Sequence, residues 1–222
     1  MLSEARLIEP AEMGSVGLRR RLEEEVLPTG IEQLDQLIGG VPRGAVSEIV
    51  GRDGSGRTSL ALQLLATATS KLELCAYVDI AGSFDPAAAD AAGVCLQQIL
   101  WVRCRGELNS ALRATDLLLQ AGGFGIVVLD LGAAPASQLR LIQESFWHRF
   151  RLAVESTPTI FLILGREGLA SCSSLRLQAK QIKRLWTGER GMNLFRGLTF
   201  ELSSIKPPRI GAVAISARPH LT

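Results

Sequence analysis

The sequence predicts an α/β fold: a mostly parallel sheet flanked by helices, with an antiparallel strand extension at its C-terminal end. Three observations predict it. Short apolar runs at residues 45–50, 74–79, 99–103, 125–130 and 159–164 alternate with stretches of helical period. The run at 125–130 is apolar almost throughout, as strands buried on both faces are. A glycine-rich loop, Gly51-Arg52-Asp53-Gly54-Ser55-Gly56-Arg57-Thr58, follows the first run and opens a helix, the placement that a phosphate-binding loop requires.

The elements follow in order. Residues 1–16 carry weak signals and read as an arm. Residues 17–27 read as a short helix, because Leu18, Leu22 and Val26 recur every four residues. That stripe is a candidate partner surface; the charges around it, Arg19 to Arg21 against Glu23 to Glu25, equally suit a solvated face. Residues 1–28 therefore form an N-terminal arm and helix, and residues 29–222 the core domain. Pro28-Thr29-Gly30 is a turn, and a helix over 31–38 stops at Gly39-Gly40. The helix after the glycine loop spans about 57–70. Asp85 caps the next helix, Pro86 begins it and Gly93 stops it. A helix over 107–121 carries Leu108, Leu112, Thr115 and Leu119 on one face. One long helix is expected from about Pro135 to Val154, with Leu139, Ile142, Phe146 and Phe150 as its core stripe. Residues 175–185, 194–204 and 210–217 read as consecutive strands, the last two parted by Lys206-Pro207-Pro208-Arg209.

Composition bounds the function. Hydrophobic residues make up 47% of the 222, enough for a sizeable core, and the net charge of +2 is far from that of a dedicated nucleic-acid binder. No apolar run is long enough to span a membrane and no apolar signal region opens the chain, so a cytoplasmic protein without membrane contact is expected. The four cysteines lack metal spacing and read as reduced thiols. No metal site is expected beyond magnesium carried by a nucleotide.

In the loop, Gly51, Gly54, Ser55 and Gly56 let backbone N–H groups close around phosphate oxygens, and the helix N-terminus adds partial positive charge. Thr58 stands where a hydroxyl normally holds Mg2+, and Asp130 ends a strand where an acid would steer that metal's waters. Arg57 stands where lysine is normal. Its wide planar fork does not fit a tight site as a compact ammonium does. Two readings stay open: Arg57 swings outward and still holds a nucleotide, or it fills the pocket and pairs with Asp130 or Asp79.

These residues carry a family resemblance. LPTGIEQLDQLIGGVPRGAVSEIVGRDGSGRTSLALQLLA (27–66), YVDIAGSFDPAAADAAGV (77–94), GIVVLDLGAA (125–134), TIFLILGR (159–166) and SSLRLQAKQIKRLW (173–186) resemble, in order, the core of RecA-like ATPases. Length and degeneracy are most similar to the ImuA group, short RecA-like accessories of mutagenic DNA repair in bacteria. The resemblance implies a translesion-synthesis adaptor in the SOS response. Its implied partners are RecA, the ImuB adaptor and an error-prone DNA polymerase, with weak or indirect DNA contact, nucleoid association and a homo-oligomer among the expectations. The departures weaken the ATPase: Ala81 falls where the family has its catalytic glutamate, Leu164 where it has its γ-phosphate-sensing glutamine, and Ala88 where it stacks a ring on adenine. Little or no hydrolysis and at most weak ATP and Mg2+ binding are therefore expected, with no catalytic residue assigned. The connections at 131–135 and 165–174 are short where recombinases carry long DNA-binding loops, although glycines and serines leave the second free to move. Arg176, Lys180 and Arg184 alternate on one predicted strand face, a candidate DNA contact or equally a solvated face that guards against edge pairing; Trp147 and Trp186 are candidate interface anchors or partly buried core residues. Two other functions remain in play. One is an active RecA-paralogue ATPase that binds DNA, borrowing an acid such as Glu48. The other is a cell-division inhibitor, against which the intact glycine loop speaks.

Overall fold

The computed structural model describes residues 25–187 and 194–217. An eight-stranded sheet carries the fold. Its strands are β3 (Ala45–Val50), β4 (Cys75–Asp79), β5 (Ile99–Arg103), β6 (Ile126–Asp130), β7 (Ile160–Gly165), β8 (Leu175–Thr187), β9 (Leu194–Lys206) and β10 (Ala212–Ala217). They lie in the order β10-β9-β8-β3-β7-β6-β4-β5. From β5 to β8 every neighbour is parallel, and β8, β9 and β10 then pair antiparallel. The predicted fold class, parallel centre and antiparallel extension included, is the observed one.

Helices α1 (Glu32–Ile38), α2 (Arg57–Thr69) and α3 (Pro86–Ala91) cover one face; α4 (Leu108–Ala121), α5 (Ala136–Leu139) and α6 (Glu144–Val154) cover the other. Alternation along the strands feeds both cores. In β6, Ile126 and Val128 point to the α2 side while Val127 and Leu129 point to the α6 side, all four fully buried. Local signals set the helix ends. Asp85 accepts a hydrogen bond from the Ala87 N–H at 2.9 Å, capping α3, and α1 ends on Gly39 in the left-handed region.

Two expectations fail. Residues 26–27 are not the end of a helix: Val26–Leu27 is a strand, β1, paired antiparallel with β2 (Val41–Pro42). Leu27 is fully buried in the α2-side core, so burial of one side chain overrides the helical period; Val26 is 40% exposed. Leu18 and Leu22 lie outside the described residues. The long helix over 135–154 is broken into α5 and α6, with Gln143 extended at the junction. An unbroken helix would set polar Gln143 on the buried line between Leu139 and Trp147. The break leaves it exposed and buries Trp147, Phe150 and Val154.

Candidate functional site

Sheet register builds the site. At the C-terminal edge Asp79 lies beside Asp130, Asp130 beside Leu164, and Leu164 beside Ile49, one residue before the loop's strand ends. Such an edge, where loops leave parallel strands, is where open α/β sheets take ligands.

The two acids on this row are held by hydrogen bonds. Asp79 is fully buried. Its Oδ1 accepts from the N–H groups of Ala81 (3.2 Å), Gly82 (2.7 Å) and Ser83 (3.0 Å), and its Oδ2 from those of Phe84 (2.9 Å) and the Trp101 indole (3.1 Å). Burial raises its pKa, but those donors together outweigh burial and hold the carboxyl below the usual carboxylate value. Asp79 thus organises the turn that carries Ala81. Asp130 accepts from the Tyr77 hydroxyl (2.7 Å), the Ser83 hydroxyl (3.0 Å) and the Gly132 N–H (2.9 Å). Burial, then the adjacent Asp130 carboxylate, push the Tyr77 phenol far above its usual range, so it stays a donor. Phe84 bridges Tyr77 and Trp101, with ring centroids 4.7 and 5.3 Å away.

The glycine loop continues from β3, with β7 between it and β6 of this network. Gly56 has φ 96°, and a Cβ there would lie 2.6 Å from the Phe200 ring, so β9 seats an aromatic directly on the loop. Arg57 takes neither predicted partner. Its Nη2 donates to Asp53 Oδ1 at 3.1 Å, its guanidinium packs on Gly132, and its Nη1 is buried without a partner among the described residues. Asp53 Oδ2 accepts from Arg166 Nη2 at 2.8 Å, so one exposed carboxylate ties two arginines across the loop mouth. The Ser55 hydroxyl is buried and likewise unpartnered; Thr58 is exposed. Beside the loop is a cavity of about 580 Å³ lined by Arg52, Asp53, Ser55 and residues 178–181 of β8.

The predicted cation face does not form. Arg176 turns into the protein: its Nε donates to Glu48 Oε2 at 2.6 Å and its Nη2 to the Ala170 carbonyl at 2.9 Å. Glu48 is 1% exposed and its Oε1 also accepts from the Leu169 and Ala170 N–H groups. This buried ion pair pins the 165–174 connection, expected to be free, and leaves Glu48 unavailable as a catalytic acid. A bulge between Gln181 and Lys183 reverses the alternation of β8. Lys180 and Arg184 therefore lie on opposite faces, and Arg184 joins Gln181 beside Gly54 of the loop, its Nη2 3.9 Å from where a Gly54 Cβ would be. Trp147 is a core residue, 2% exposed and edge-on to Phe150, not an interface anchor. Trp186 lies on β8 opposite Phe195; its side chain is outside the described residues.

The model of the RecA N-terminal domain matches residues 11–143. The chain belongs to the RecA family. Protein RecA of Rickettsia canadensis is 37% identical over 128 residues, covering 56% of this chain and 37% of its relative. Protein RecA of Allorhizobium ampelinum is 40% identical over 115 residues, covering 51% and 32%. The chain spans about a third of the length of the curated RecA proteins it matches. A crystal structure of the RadB recombinase superposes with a TM-score of 0.65 at 17% identity, covering 86% of this chain and 96% of that one, which is a likeness of fold.

Sequence reasoning placed the loop, Asp79 and Asp130. It missed Tyr77, Ser83 and Trp101 as their partners, Asp53 and Arg166 as the ties on Arg57, and Phe200 on Gly56. Two signals were present. Tyr77 and Asp79 are two residues apart on a strand and so share a face, and Asp53 and Arg57 have the four-residue spacing of a local ion pair.

Proposed function

We propose that this RecA-family protein is a DNA-damage-response accessory of the ImuA type. In this reading it serves translesion synthesis as a protein-binding adaptor, with RecA, ImuB and an error-prone polymerase as partners, and turns over little or no ATP. Its place is the cytoplasm, at the nucleoid, and it self-associates. The observation that carries the reading is the state of the two acids. Asp130, the acid of the metal-steering position, already accepts three hydrogen bonds, and Asp79 folds a turn on which Ala81 offers only a methyl. A hydrolytic site needs a poised base and an acid open to metal waters.

ATP and Mg2+ are the ligands a phosphate loop implies. A phosphate fits: the unpartnered Ser55 hydroxyl and Arg57 Nη1, with the first N–H groups of α2, are donors without acceptors. Metal-dependent hydrolysis does not fit, and no catalytic step is assigned to the site. The same unpartnered donors favour a second reading, a RecA-paralogue ATPase that uses Arg57 in the lysine's role. Isothermal titration with ATP·Mg2+, paired with a turnover assay, separates the two. The adaptor reading expects no turnover and capture of RecA or polymerase components in a pull-down. Turnover abolished by Asp130→Ala would overturn it.

A further inference from the structure

The strand beside the glycine loop is half-paired. β8 runs from Leu175 to Thr187 and pairs with β9 from Arg176 to Thr187, with register shifts, but with β3 only over Leu175–Gln178. At Val50 the chain leaves the sheet for the loop. Beyond Gln178, the β3-side edge of β8 has no strand beside it among the described residues. The cavity of about 580 Å³ opens on this edge, between Gln178–Gln181 and the loop residues Arg52, Asp53 and Ser55. The Ala179 carbonyl points to this edge but is packed against Gly51 of the loop, where an added Cβ would collide with it, so the open part of the edge begins beyond Ala179; strand alternation gives the backbone of Gln181 the same side.

The charge around this edge is one-sided. Arg52, Lys180 and Arg184 are exposed cations along it. Two acids lie near it: Asp53 is already tied to Arg57 and Arg166, and Glu201 stands opposite Lys180 on β9. Ser55 adds a buried, unpartnered hydroxyl at the cavity wall. Among the described residues no aromatic side chain lines the cavity to stack a base as single-strand binders do. A free strand edge supplies backbone donors and acceptors, which a peptide can match and a nucleic-acid backbone cannot.

We infer that the free edge of β8 is a strand-addition site for an extended acidic peptide segment of a partner protein. The peptide backbone pairs with β8 beyond Ala179, and its carboxylates meet Arg52, Lys180 and Arg184. This rests on the adaptor reading and gives that reading a docking surface.

The test uses the full-length chain and a fluorescein-labelled peptide of about eight residues with alternating Glu and Val, a strand's length. Fluorescence anisotropy is read for this peptide, for the same peptide N-methylated on alternate amides, and for oligodeoxythymidine. The peptide is expected to bind, more weakly as salt rises. N-methylation, which keeps every charge but removes strand pairing, is expected to weaken it about tenfold. Lys180→Glu is expected to weaken it by about threefold or more. Absence of peptide binding, equal binding of the N-methylated peptide, or indifference to Lys180→Glu would each overturn the site. Displacement of the peptide by oligodeoxythymidine at equal concentration would also overturn it, in favour of nucleic acid. If the peptide fails while the chain still captures RecA or polymerase in a pull-down, only this site falls and the adaptor reading stands.

Discussion

The two halves of the C-terminal sheet edge have diverged. On the β4–β6 side the acids are closed in: Asp79 and Asp130 accept from backbone N–H groups, two hydroxyls and an indole, beside three rings tilted against one another. On the β3–β8 side the cations are open: Arg52, Lys180 and Arg184 are exposed, and the buried Ser55 Oγ and Arg57 Nη1 have no acceptor among the described residues. A hydrolase needs both halves poised on one ligand. Here one half is closed by internal hydrogen bonds and the other presents exposed cations.

The largest effect is expected on the closed side. Asp79→Ala leaves several backbone donors unsatisfied in the interior and should cost roughly 3 kcal/mol or more in urea unfolding. A cost under about 1 kcal/mol would make Asp79 a spectator and erase the contrast. The pH dependence has a definite sign. Asp79 has a lowered pKa in the folded state, so its contribution is complete above the unfolded value near 4 and is lost as pH falls through the folded one. Stability should therefore drop on acidification below about pH 4, and Asp79→Asn should flatten that part of the curve.

Arg176→Met follows closely. It strands Glu48 as a buried charge and should cost about 3 kcal/mol, with faster proteolysis within 165–174. Adding Glu48→Gln should recover part of the loss, because an unpaired buried charge is worse than none. If the double variant is less stable than the single, the pair holds the connection through something other than charge.

The open side should respond in binding rather than stability. Asp53→Asn loosens an exposed tie on Arg57 and Arg166, so its stability cost should stay below about 1 kcal/mol. Two guanidiniums are then freer, and titration should show tighter inorganic phosphate or ATP binding. Weaker binding would mean that Asp53 shapes the cradle instead of competing with its ligand.

Much of the fold was legible in sequence because its signals are local. β3 and β5 begin and end where their apolar runs do, and the Asp85-Pro86 cap sits where its residue types require. Of the site, the loop was legible as a contiguous motif. The closed side was not: Tyr77 reaches Asp130 across 53 residues of chain and Ser83 across 47, and no spacing rule joins them. The bulge that parts Lys180 from Arg184 was hidden too, since the even spacing of cations on β8 implied an alternation that one extra residue reverses. The break between α5 and α6 yielded to the placement of Gln143, a cost visible once the sheet beneath is known.

The smallest effect separates the thiols. Burial pushes Cys75 up to about 12, while Cys95 is exposed. At pH 8 a thiol reagent should label Cys95 quickly and Cys75 only on unfolding. Fast labelling of Cys75 in the native protein would show that the α2-side core opens readily.

The division between a closed acid half and an open cation half is tested most directly by ATP turnover with Mg2+. It should be measured on the wild-type chain and on Asp130→Asn, with a thermal melt of each. The expected result is no turnover above background in either protein, and a lower melting temperature in the variant because Asp130 is structural. Turnover in the wild type that vanishes in a variant of unchanged melting temperature would contradict it.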